Sequence, residues 1–198
     1  GAHIVDIGGE STRPYSQPVS ADEELERIMP VLQGLRAKDN QVKISVDTYK
    51  AKVASLVLQK GASIINDVSA CSFDPQLRDV LAEFQPGYVL MHSLASPDKM
   101  QDNPYYTNVI DELMAFFEMH LTELTKAGLA EENIVLDPGI GFGKLLEHNL
   151  TILREIERFF VLGRPLFIGL SNKSMWKNLL QADLTERQNA TQVATALL

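Results

Sequence analysis

The sequence predicts an α/β fold, a (β/α)8 barrel of which this chain carries about six βα units, with the first and last strands missing. Three observations predict it. Short apolar runs rich in Ile, Val and Leu alternate with longer amphipathic stretches from end to end, as in parallel strands buried on both faces and joined by crossover helices. Five of the runs in succession end on a polar or ionisable residue, and in a barrel those ends converge on one face, where the βα loops build a site. Neither Gly8-Gly9 nor Gly139-Ile140-Gly141-Phe142-Gly143 has the glycine spacing that a doubly wound nucleotide-binding sheet carries at its switch point.

The elements follow in order. The first run, residues 3–7, contains Asp6 and leads into Gly8-Gly9-Glu10-Ser11-Thr12-Arg13-Pro14. Ser20 then caps a helix over 21–37, with Glu23 placed to complete a capping box. The second run, 42–46, ends in Asp47-Thr48, and a helix over 49–59 stops at Gly61. The third, 63–65, ends in Asn66-Asp67, and Asp74-Pro75 opens a helix over 75–84 with proline at its first position. The fourth, 88–91, ends in His92-Ser93 and precedes a long helix over 108–127 closed by Gly128. The fifth, 134–136, ends in Asp137-Pro138-Gly139. A helix over 147–160 follows, with Leu150, Leu153, Ile156 and Phe160 at helical spacing. The sixth run, 165–170, ends in Ser171-Asn172-Lys173-Ser174, ahead of helices over 174–180 and 185–198.

No linker or low-complexity tract interrupts this alternation, so residues 1–198 form a single domain. With 18 Lys and Arg against 26 Asp and Glu, the net charge of −8 speaks against nucleic acid as a partner. At 45% hydrophobic residues the composition excludes a disordered chain, and no run is long and apolar enough to span a membrane. A lone cysteine, Cys71, implies a reducing, cytoplasmic setting, and the four histidines lack metal-binding spacing. The chain opens as a strand and closes within a helix, so it reads as cut at both ends, and a closed barrel needs about 250 residues.

Single residues have plain alternatives. Asp47, Asn66 and Asp137 could be turn formers or helix caps. His92 is either a site residue or a satisfied strand-end histidine. Cys71, Trp176, Phe159 and Phe160 are most simply packing residues, and Asp22-Glu23-Glu24 a solvated first turn.

Taken in order, the strand-end motifs resemble those of the dihydropteroate synthases. These are Gly8 to Pro14, Ile44-Ser45-Val46-Asp47-Thr48, Ile64-Ile65-Asn66-Asp67-Val68, Leu90-Met91-His92, Leu136 to Lys144, and Gly169-Leu170-Ser171-Asn172-Lys173-Ser174-Met175. The first and fifth are specific; the rest are shared across the pterin-binding barrel superfamily. The resemblance implies condensation of p-aminobenzoate with dihydropterin pyrophosphate to give dihydropteroate for folate synthesis, with Mg2+ on the pyrophosphate, in a sulfonamide target. It places the pterin ring on Asp47, Asn66, Met91, Asp137 and Lys173. It places p-aminobenzoate against Thr12, Pro14, Phe142, Ser171 and Lys173, and the reacting end under Thr12 and Arg13, with Lys173. A carboxylate accepts two adjacent ring N–H groups at once, and an amide offers donor and acceptor together. No metal ligand is expected within the chain; the family's Mg2+ ligand would precede Gly1. A homodimer is the candidate assembly.

Two positions depart from the family: Tyr15 stands where glycine is common, and Asn172 where Ser-Arg-Lys is usual. The Ser-Asn pair is similar to the corrinoid-dependent methyltetrahydrofolate methyltransferases, one alternative. A non-catalytic pterin-binding module is the other.

Overall fold

The computed structural model describes residues 2–13, 15–171, 173–181, 183 and 186–197. Five parallel strands form one sheet in the order β1-β2-β3-β4-β5: β1 (Ile4–Gly8), β2 (Lys43–Asp47), β3 (Ile64–Asp67), β4 (Gly87–Met91) and β5 (Ile134–Asp137). Each strand pairs with the next in sequence, without reversal. That order belongs to a barrel segment; a doubly wound sheet would switch direction midway.

The connecting helices are α1 (Ala21–Lys38), α2 (Ala51–Gln59), α3 (Leu77–Phe84), α4 (Val109–Ala127) and α5 (Leu146–Arg154). After them come α6 (Ser174–Leu180) and α7 (Glu186–Leu197). Ser20 caps α1 by accepting from the Glu23 N–H at 3.2 Å, as the sequence predicts. The capping box is not completed, because the Glu23 carboxylate turns to Arg27 one helical turn on. Asn108 caps α4 through two N–H groups, and Gly128, at φ +109°, ends it in the left-handed region.

Two expectations need correction. The sixth run does not form a strand: residues 165–170 give only a parallel bridge between Leu136 and Leu166. Pro165 has no N–H to donate, so β5 is met by two backbone bonds, Leu136 N–H to Pro165 O and Phe167 N–H to Leu136 O. The helix expected over 147–160 breaks at Glu155 and continues as a 3-10 segment, Ile156–Leu162. There Phe159 is buried in the core while Phe160 stands 60% exposed, so only one of the pair is a packing residue.

Strand alternation divides the sheet into two faces. Ile44, Val46, Ile65, Tyr88, Leu90, Ile134 and Leu136 are inaccessible and meet the helices, forming the main core with Leu32, Leu81, Leu113 and Phe117. The opposite face carries Asp6, Ser45, Asp47, Asn66, Val89, Met91 and Asp137, so the polar residues line the inside of the curved sheet.

Candidate functional site

Parallel pairing brings every strand's carboxyl end to one rim of the sheet. Gly8, Asp47 and Asn66 share one register row with Val89 and Val135, and Met91 pairs with Asp137 two positions further along the strands. Four of the sequence-predicted site residues, Asp47, Asn66, Met91 and Asp137, therefore lie side by side on the inner face. Their neighbours in sequence point the other way. Asp67 faces the helix layer, where its carboxylate accepts from Ser69 N–H, Ser69 Oγ, Cys71 N–H and Tyr88 OH at 2.6–2.8 Å. That buried knot fixes the turn after β3 and holds Ala70 and Cys71 in the left-handed region. Burial also pushes the Cys71 thiol up to about 12, which makes it the inert packing residue expected.

Electrostatics sharpen the inner row. Burial, then the carboxylates of Asp6, Asp67, Glu24 and Glu10, raise Asp47 to about 8. Burial raises Asp137 to about 6, opposed by the Gly139 N–H, donated to Oδ1 at 2.8 Å, and by Lys173 and Lys144. Lys173, lowered by burial and partly restored by Asp137, places its Nζ 4.4 Å from the centre of the Phe142 ring. Asp137, Phe142 and Lys173 thus form one corner of the site. The glycines between them are required: a Cβ on Gly139 would lie 2.0 Å from the His92 carbonyl, at φ +67°.

The other predicted residues lie apart. Half-buried Thr12 and exposed Arg13 sit on the loop after β1, which bonds within itself through Ser16 N–H to Arg13 O. Pro14 and Asn172 lie outside the described residues. Tyr15, where the resemblance expects glycine, adopts φ +64°, a conformation glycine takes at no steric cost. Its N–H bonds the Pro97 carbonyl at 3.1 Å. Ser171 is exposed in the turn before α6, whose N-cap is Lys173. Trp176 is buried and donates to the Leu170 carbonyl at 2.9 Å, a packing role as expected.

Three features escape sequence reading. Glu24, expected in a solvated turn, is 1% exposed and pairs with Lys50. Lys50 also meets Glu10 at 2.5 Å, and Glu10 accepts from Tyr49 OH and Val19 N–H, clamping both ends of the loop that carries Thr12 and Arg13. His92 takes the second of its two expected readings, a satisfied histidine buried against Phe116, and what the sequence hides is its partner, Lys144, at Nδ1. Only the paired character of buried charges could have flagged these contacts, because their partners lie 26 to 52 residues away.

The whole chain, residues 1–198, matches the family described as pterin binding enzyme. The dihydropteroate synthase of Synechocystis sp. is 43% identical over 188 residues, covering 94% of this chain and 65% of that protein. The Bacillus subtilis dihydropteroate synthase is 40% identical over 197 residues, covering 100% and 66%. Among solved structures, the Yersinia pestis dihydropteroate synthase with a sulfonamide drug superposes with a TM-score of 0.93 at 38% identity, covering 99% of this chain and 72% of that one. The Xanthomonas albilineans enzyme with 4-aminobenzoic acid gives 0.92 at 35% identity, covering 100% and 70%. The chain spans about two thirds of the length of the curated relatives it matches.

Proposed function

The chain belongs to the pterin-binding enzyme family, and from that we propose that its protein is a dihydropteroate synthase. It would condense p-aminobenzoate with 6-hydroxymethyl-7,8-dihydropterin pyrophosphate, releasing pyrophosphate. The observation that carries this reading is the pair of inner-face couples Asp47–Asn66 and Met91–Asp137, with Lys173 beside Asp137. It matches a flat heterocycle whose pyrimidine edge presents two adjacent N–H donors. Asp137 accepts both. Asn66 supplies one donor and one acceptor to ring nitrogens. Asp47, held largely protonated at neutral pH by burial and then by its acidic neighbours, offers a donor and an acceptor to the far edge. Lys173 donates to the ring oxygen, and Met91 covers the flat face.

Transfer then needs little covalent help from the protein. The aniline nitrogen attacks the pterin CH2, the C–N bond forms as the C–O bond to pyrophosphate breaks, and the amine sheds a proton. An electron-rich pterin stabilises positive charge on that carbon, so positioning and neutralisation of the leaving charge dominate. Thr12 and Arg13 would close over the reacting end. Pro14, Phe142, Ser171 and Lys173 would line the aminobenzoate pocket. Mg2+ on the pyrophosphate is part of the proposal as the family's counter-ion. Among the described residues no group of three or more His, Cys, Asp or Glu side chains could hold a metal. A cytoplasmic setting is proposed from the single cysteine, and a homodimer from the resemblance alone. Among the described residues no helix is long and apolar enough to cross a membrane.

Chromatographic detection of dihydropteroate after incubation with both substrates and Mg2+ tests the reading. Turnover that disappears in Asp137→Ala is expected. Pterin binding without turnover would replace the enzyme with a binding module, and no pterin binding would remove both.

A further inference from the structure

Lys144 ends the glycine turn after β5, and neither ring binding nor transfer uses it. It is 4% exposed, a burial that lysine rarely accepts without partners. Its Nζ meets three acceptors: His92 Nδ1 at 2.9 Å, the Phe142 carbonyl at 2.9 Å and the His92 carbonyl at 3.3 Å. An ammonium carries three N–H donors, so the charged form is fully satisfied and keeps none for a ligand. His92, accepting at Nδ1, is the neutral ring; burial and then Lys144 hold its pKa well below the usual value.

The same ammonium lies beside the turn that Asp137 holds. The Asp137 carboxylate grips the Gly139 N–H, and a Cβ built on Gly139 would lie 3.4 Å from Lys144 Nζ. His92 N–H donates to the Asp137 carbonyl, so the ends of β4 and β5 meet around this lysine. The groups facing it are Asp137 on β5, Lys173 ahead of α6 and His92 after β4, with Tyr106 and His120 behind the His92 ring. Burial brings Lys144 down to about 7, with Asp137 raising it and Lys173 lowering it. The turn has other supports: Gln101 donates to the Gly141 carbonyl, Tyr106 to the Gly143 carbonyl, and Asn149 accepts from the Gly141 N–H. Removing the lysine charge therefore leaves most of the turn's anchors in place.

We propose that Lys144 is a positioning residue for ring recognition: its buried ammonium ties the 139–143 turn to the end of β4 and, second to Lys173, adds positive charge that favours the Asp137 carboxylate facing a bound ring. The ring-binding half of this rests on the pterin reading above. Lys173 stacks its Nζ over the Phe142 ring; Lys144 has all three donors engaged.

The test reads Asp137 directly, by 13C NMR of its carboxyl carbon in ligand-free protein across pH, in the native protein and in Lys144→Met. The expected midpoint lies near 6 in the native protein and rises in the variant. Pterin affinity should lose its acid side at correspondingly higher pH in Lys144→Met and recover to within a few-fold at alkaline pH. An unmoved Asp137 midpoint, or an affinity loss equal at every pH, overturns the proposal. If Lys144→Met does not fold, the native protein carries the test alone: the Asp137 signal must show a second, smaller step as Lys144 loses its proton, and its absence overturns the proposal. A shifted midpoint in proteins that bind no pterin would uphold the charge coupling and refute the pterin reading.

Discussion

Replacing Asp137 with asparagine separates stability from recognition. The Asp137 carboxyl rises from 3.8 to about 6 on folding, with burial the main cause. Between those values the folded protein keeps a proton that the unfolded chain has released. The stability this group contributes is therefore fully present below pH 3.8 and is lost as the pH rises through about 6. At about 1.36 kcal/mol per unit, carrying the charge at neutral pH costs the fold roughly 3 kcal/mol. Asparagine keeps an acceptor for the Gly139 N–H and removes the charge. Allowing for solvent relaxation around the ion, Asp137→Asn should be about 1–3 kcal/mol more stable than the native protein at neutral pH, and level with it at about pH 4. Urea unfolding followed by circular dichroism across that range measures both. The same variant should lose ring binding. Each hydrogen bond to a charged acceptor contributes about 1.5–3 kcal/mol, so losing two weakens affinity roughly 10²- to 10⁴-fold. A variant no more stable at neutral pH, with pterin affinity near the native value, would show that Asp137 is only a turn residue.

Other substitutions probe the frame around it. Lys173→Met should weaken pterin binding about 10- to 100-fold by calorimetry without lowering the unfolding midpoint, because burial already disfavours its ammonium in the folded protein. Gly139→Ala should cost at least about 2 kcal/mol in urea unfolding, since its Cβ would collide with the His92 carbonyl at a left-handed φ. Asp67→Ala should cost about 3–5 kcal/mol by the same measurement, leaving the Ser69, Cys71 and Tyr88 donors unpaired. Cys71 should resist a thiol reagent at mildly alkaline pH until denaturant is added.

Much of this frame was legible in the sequence because it is written locally. Alternation along IVDIG, KISVD and IIND sets which residues face inward, and a single register error would have sent Asn66 and Asp67 to each other's face. Ser20, Asn108 and Gly128 mark helix ends through bonds to residues two to four positions away. What stayed hidden depends on distance in sequence or on a competing preference. Lys144 meets His92 across 52 residues, and Lys50 meets Glu10 across 40. The periodicity of Leu150, Leu153 and Ile156 runs through the break at Glu155, so spacing alone could not locate it. Residues 165–170 have strand composition, but Pro165 takes away one ladder donor and Leu166 is left with a single bridge.

Isothermal titration of the protein with dihydropterin and with dihydropterin pyrophosphate, each with and without p-aminobenzoate, tests the central claim most directly. The account predicts that the ring binds, that the pyrophosphate form binds more tightly, and that heat of turnover appears only when both substrates and Mg2+ are present. Absence of dihydropterin binding would contradict it.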